Sequence, residues 1–164
     1  MKLLRQSGDG FEMEFAREEK GLLFHLLGMY PLVPAGHHKL TGTKRIRNQK
    51  ENQELLDETI QSQRKANQEE IILLVSKPGR FTDLGETSRA VFQRDELEWL
   101  LQVLNDVRVG CWIMLGSPAA PDEATLHNDK KAFPNLVMME IAGGFQMFFL
   151  SAISGTLKPG AEEA

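Results

Sequence analysis

The sequence feature that most constrains the fold is a helical pattern over residues 94–115 of this 164-residue chain. Asp95, Glu96 and Glu98 stand near its N-terminal end, where the helix dipole favours negative charge. Beyond Val107, most positions outside the main apolar stripe are apolar as well, and such a helix must be surrounded by other elements. We therefore predict that residues 94–115 form the central helix. Its stripe consists of Leu97, Leu100, Leu101, Leu104, Val107, Cys111 and Met114.

Further helices are predicted around this central one. Hydrophobic residues recur at helical spacing over residues 17–30 and 48–76. Pro134 stands where a proline is well tolerated, in the first turn of a last apolar helix that ends near residue 154. In the second helix, Arg64 and Asn67 interrupt the apolar stripe. They either dock onto polar groups of another helix or lie where the middle of a long helix projects into solvent.

A β-hairpin is predicted over residues 1–15. Phe11, Met13 and Phe15 alternate with two glutamates, and residues 7–10 supply turn chemistry. Because an isolated hairpin is marginal in water, its apolar face should pack on helices. The sequence thus predicts a mainly α fold, a bundle of about four main helices with a short N-terminal hairpin. It forms a single domain over residues 1–154, followed by a flexible tail at residues 155–164, and residues 89–93 make a short extended piece.

The last helix raises the question of a membrane span, because residues 135–154 contain a single charge, Glu140. The eight Leu, Ile, Val and Phe residues of this stretch contribute about −2.4 to −4.8 kcal/mol to insertion, and one central charge costs about 2.5–3.5 kcal/mol. Gln146 and the pair Gly143-Gly144 remove most of the remainder. We therefore predict no membrane span. The helix should be buried in its own domain or partly in a homo-oligomer interface, where the glycines let another backbone approach closely.

The charge is unevenly distributed along the chain. The net charge is −4, yet residues 31–50 contain five bases and no acid. A basic loop on an acidic body can bind phosphate or an acidic partner, although a protein that coats nucleic acid is normally basic throughout. The loop at residues 37–50 is therefore a candidate anion-binding site, or else a solvated loop. Its bases are Lys39, Lys44, Arg45, Arg47 and Lys50.

No motif of recognisable chemistry stands out in the sequence. Gly8-Asp9-Gly10 is a turn and opens no helix, which excludes a dinucleotide fingerprint. His37-His38 lack a neighbouring Cys or paired carboxylate, and Cys111 lies on an apolar helix face, where a buried thiol is inert. We predict no catalytic residue, no metal and no cofactor. With one cysteine and no signal-peptide pattern, a cytoplasmic location is expected.

The polar residues within the apolar helices form the most specific feature. We predict a structural polar core of Asn105, Asp106, Arg108 and Glu140. A half-buried Arg108 needs a carboxylate, and Glu140 on the last helix is the candidate by elimination. The alternative, that these residues reach the surface or a subunit interface, remains open.

The segment Trp99-x4-Leu104-Asn105-Asp106-x-Arg108 resembles the signature of a bacterial helical family of unknown function that is best represented in actinobacteria. The resemblance covers about residues 50–155. It implies a small, mostly helical cytoplasmic protein. Members tend to be encoded near the adaptor that delivers substrates to the Clp protease, which implies a loose link to regulated proteolysis, and the family supplies no catalytic residues.

Together these observations predict a non-enzymatic, adaptor-like regulatory or interaction protein that binds an unidentified protein partner and forms a homo-oligomer. The alternative is a phosphate- or RNA-binding accessory protein that uses the basic loop. That loop has no aromatic residue after Tyr30 on which bases could stack.

Overall fold

The computed structural model describes residues 1–34, 37, 49–117, 129–130 and 132–160, and all structural statements below concern these residues. Within them, four helices accompany four strands. In chain order the elements are β1 (Lys2–Ser7), β2 (Gly10–Ala16), α1 (Arg17–Met29), α2 (Gln49–Ser76), β3 (Thr82–Asp83), β4 (Thr87–Gln93), α3 (Arg94–Met114) and α4 (Phe133–Ile153).

The strands form one antiparallel sheet in the order β1-β2-β4-β3. The predicted N-terminal hairpin is confirmed as β1 and β2. The second edge of β2 pairs along its whole length with β4, so that Phe11 lies opposite Phe92 and Met13 opposite Ala90. Side chains alternate between the two faces of a strand, and one face of this sheet is therefore lined by buried apolar residues.

The predicted helical bundle is wrong, because the chain combines helices with a four-stranded antiparallel sheet. The extended piece predicted at residues 89–93 is β4, which the hairpin needs to complete its sheet. Ser88, Ala90 and Phe92 of this strand point into the core, while its other side chains face outward. The outer face is polar, and the pairs Arg5–Glu12 and Arg89–Glu14 lie across its strands.

The hydrophobic core lies between this sheet and the helices. Phe15 and Phe92 of the sheet contact each other edge to face, and Phe92 also meets Phe149 of α4. Helix α3 lies at the centre, as predicted, and its buried residues run from Leu97 to Cys111. Each fully buried Leu, Val or Phe contributes about 1.5–3 kcal/mol relative to an exposed side chain, so the α3 stripe is a major source of stability.

Helix α2 is long and mostly exposed, and polar contacts attach it to the body. Asn67, which is buried, donates to the Tyr30 hydroxyl at 2.8 Å and accepts from Trp99 Nε1 at 3.1 Å. Arg64 donates to the carbonyl of Val33 at 2.7 Å. Of the two alternatives left open by the sequence, docking therefore holds for Arg64 and Asn67. Ile71 and Leu74 add apolar contact further along α2.

Two further contacts complete the domain. Gly110 of α3 lies directly against Leu32, since a Cβ at this glycine would be 2.6 Å from Leu32 Cβ. The segment after α4 returns to the sheet: Leu157 packs against the core, and the Gly160 amide donates to the Leu3 carbonyl at 2.9 Å. The first part of the predicted tail therefore has defined contacts, and residues 161–164 lie outside the described residues.

Candidate functional site: the groove between α3 and α4

Helix α4 has one buried face and one exposed apolar face. Phe145 and Phe149 lie in the core, whereas the side chains of Met147 and Leu150 are 67% and 58% exposed. By length and composition α4 could cross a membrane, but one third of its most apolar window is buried, and core helices of soluble proteins pass the same test. The exposed side chains of Met147 and Leu150 border a cavity.

That cavity is an open groove of about 610 Å³ between α3 and α4. Both helices contribute to it because their apolar stripes pack side by side and leave their outer rows facing solvent. The floor is mixed, with thioether, aliphatic and backbone surface beside a few polar groups. Its lining residues are Leu101, Arg108, Met139, Glu140, Gly143, Gly144, Gln146, Met147 and Leu150.

Arg108 and Glu140 both line this groove, yet they do not form the predicted ion pair. Both residues are exposed, and the ion pairs between described residues include neither of them. The rotation of α3 carries the Arg108 side chain across α4 at Gly143, where its Nε lies 3.7 Å from the position of the missing Cβ. Glu140 precedes Gly143 by one helical turn. Two opposite charges therefore share a groove without contact in the monomer.

The glycine pair and a buried amide complete the groove. Among the described residues, no atom other than those of the adjoining residues and the backbone of α4 lies within 4 Å of the missing Cβ of Gly144, so the fold of this part does not require a glycine there. Gln146 donates through Nε2 to the Leu101 carbonyl at 3.2 Å, and its Oε1 is buried with no hydrogen-bond partner within the described ranges. A glycine inside a helix costs about 1 kcal/mol relative to alanine, and Gly144 is exposed at the surface of the groove.

Asp106 lies outside the groove and holds the segment that follows α1. Its Oδ1 accepts from the backbone amides of Leu32 and Val33 at 2.6 and 3.2 Å, and Arg64 lies 3.9 Å from its Oδ2. Asn105 is exposed. The four predicted polar residues thus separate, with Asp106 clamping the segment after α1 and Asn105, Arg108 and Glu140 at the surface. The partners of Asp106 are backbone amides, and matching the side chains of two helices does not reveal partners of this kind.

The groups that catalysis would use are dispersed in the described part of the molecule. No cluster of three or more His, Cys, Asp or Glu residues is found there. Burial raises the pKa of the Cys111 thiol, which keeps it protonated and unreactive. His25 and His37 are both exposed.

The basic loop can be assessed at one position. Lys50 is almost fully exposed and lies 3.8 Å from Glu54, one turn further along α2. Lys39, Lys44, Arg45 and Arg47 lie outside the described residues, as does His38. Anion binding by this loop stays a prediction.

A second groove, of about 450 Å³, lies beside β3 and β4. Two of its cations already have carboxylate partners, because Arg80 binds Glu96 at 2.8 Å and Arg89 binds Glu14 at 3.1 Å. The α3–α4 groove, with its unpaired charges and exposed apolar side chains, is therefore the stronger candidate site.

Comparison with known proteins adds no relative: no family model, no curated protein and no solved structure matches the chain. The family resemblance of the 99–108 segment therefore stays a prediction, and the geometry of the groove carries the functional argument.

Proposed function

We propose that the chain is a non-enzymatic, adaptor-like interaction protein that binds a protein partner through the groove between α3 and α4. The observation that carries this proposal is the exposed apolar face of α4. Met147 and Leu150 stand next to each other on this face, beside a groove that contains unpaired charges of both signs. Exposed apolar side chains that border a groove and are rimmed by polar groups are typical of protein interaction sites.

Two further parts of the proposal rest on the sequence. The cytoplasmic location follows from the single cysteine, and the loose link to regulated proteolysis follows from the family resemblance. A phosphate- or RNA-binding role of the basic loop is the competing function, and the experiment below separates it from protein binding.

The test is affinity capture of the tagged protein from its own cells, with half of the lysate treated with nuclease. Met147→Glu places a charge on the exposed face of α4. Leu73→Glu is the matched control, because Leu73 of α2 is 66% exposed, almost the same as Met147 at 67%. We expect a set of bound proteins that survives nuclease, is lost with Met147→Glu and is retained with Leu73→Glu.

Three results would reject the proposal. The bound set could be indifferent to Met147→Glu, it could be lost equally with Leu73→Glu, or it could disappear after nuclease treatment. The last result would move the function to the basic loop. A thermal unfolding curve for each variant checks that the substitution at its exposed position leaves the fold intact.

A further inference from the structure

We infer that the groove between α3 and α4 binds a second copy of this chain, so that two copies pack around a two-fold axis on their α4 helices. The inference rests on the proposed function and names the partner of the same site. Three features of the groove support it: its charges, its register and its unfilled space.

The charges of the groove are self-complementary. Arg108 and Glu140 lie on the same surface, and neither has an ion-pair partner in the described part of the chain. A two-fold axis makes every contact twice, so Arg108 of each copy meets Glu140 of the other. A partner with one sign of charge would satisfy one of these residues and place a like charge against the other. A second copy satisfies both.

The register of α4 allows this pairing without a shift of the helix. When two α4 helices cross antiparallel with the axis level with the bond between Ile141 and Ala142, Glu140 of one copy lies opposite Gly143 of the other. Arg108 lies across that same glycine, with its Nε 3.7 Å from the missing Cβ position. The guanidinium is therefore already placed where the carboxylate of the second copy arrives.

The same register fills the empty space in the groove. Met139 of one copy comes opposite Gly144 of the other, where the described residues beyond the backbone of α4 and the adjoining positions leave the space around the missing Cβ open to 4 Å. A flexible methionine adapts to a gap of this kind, and a glycine lets the two backbones approach closely. The exposed Leu150 near the end of α4 then faces the opposite end of the second helix.

The experiment measures mass by sedimentation at micromolar concentration for the wild-type chain, Arg108→Glu and Glu140→Arg. The wild type is expected at twice the chain mass of 18.5 kDa. Each single variant places two pairs of like charges in the interface, and we expect the dissociation constant to rise on the order of tenfold or more. Lys65→Glu, a charge reversal on the exposed surface of α2, is the matched control and should leave the dimer intact.

The decisive step is to mix the two single variants. In a mixed dimer, both contacts join a glutamate to an arginine, so the mixture should dimerise more tightly than either variant alone. An ion pair within one chain would be restored by the double variant and not by mixing. Native mass spectrometry of the mixture, with one variant carrying a mass tag, identifies the mixed species.

A wild-type chain that stays monomeric overturns the inference, and so does a mixture that fails to recover. If capture from cells still depends on Met147, the proposed function stands and its partner is another protein. If capture is indifferent to Met147, the proposed function fails whatever the mass. The two failures are therefore distinguishable.

Discussion

Asn67→Ala should destabilise the protein, because this residue attaches an otherwise exposed helix to the body. Its amide joins three elements, donating to Tyr30 at 2.8 Å and accepting from Trp99 at 3.1 Å. A buried polar group left without a partner costs about 1–3 kcal/mol, and alanine returns a few tenths of a kcal/mol as the better helix former. We expect a net loss of about 2 kcal/mol in the free energy of unfolding.

The assay is urea unfolding followed by circular dichroism, together with a thermal melt. For a chain of this size, 2 kcal/mol corresponds to a fall of about 4–8 °C in Tm. Gln68→Ala is the control, because it truncates an exposed amide side chain to alanine at the next position of the same helix. Tyr30→Phe should be less than additive with Asn67→Ala, since both remove the same hydrogen bond. The reasoning is refuted if Asn67→Ala costs no more than Gln68→Ala.

Three other predictions follow from single residues. Gly110→Ala should lower Tm, since its Cβ would lie 2.6 Å from Leu32 Cβ, and overpacking of this kind costs about 1–3 kcal/mol; an unchanged melt would contradict the contact. Gly144→Ala should raise the free energy of unfolding of the dilute monomer by about 1 kcal/mol, because the space at this position is open. The same substitution should weaken the proposed dimer. Unfolding curves measure the first effect and sedimentation measures the second. Hydrogen bonds from Lys20 and Ser88 lower the pKa of Asp83, so its contribution to stability is present above the ordinary aspartate pKa and is lost as pH falls through the lowered value. Unfolding free energies between about pH 5 and pH 2 should therefore fall more steeply for the wild type than for Asp83→Asn, and equal slopes would count against the shift.

The helices could be predicted from the sequence because their signals are local. The end of α1 before Pro31 and the first turn of α3 after Gln93 are read from neighbouring residues, and both agree with the structure to within one residue. The sheet could not be predicted in this way. Ser88 and Ala90 are too weakly apolar to mark an alternating strand, and β4 acquires its identity from β2, a partner far away in the chain.

The candidate site also contains features that the sequence shows locally and features that depend on packing between distant residues. Arg108, Glu140 and the glycine pair were recognised from the sequence as polar or small residues in apolar helices. Whether the two charges meet depends on the rotation of α3 against α4, which side-chain chemistry does not fix. The hydrogen bonds from the amides of Leu32 and Val33 to Asp106 were not predicted, because every residue except proline has a backbone amide and the sequence does not show which amides a side chain binds.

The place of β4 between β2 and β3 also sets an order of events during synthesis. The hairpin leaves the ribosome before β4, with the free edge of β2 and its row of Phe11, Met13 and Phe15 uncovered. The strand that closes this edge is made roughly 75 residues later, which takes about 4–15 s at ordinary rates of translation. For that interval the nascent chain presents an unpaired, apolar strand edge of the kind that recruits other strands. The hairpin thus keeps one unpaired edge until its last partner has been made.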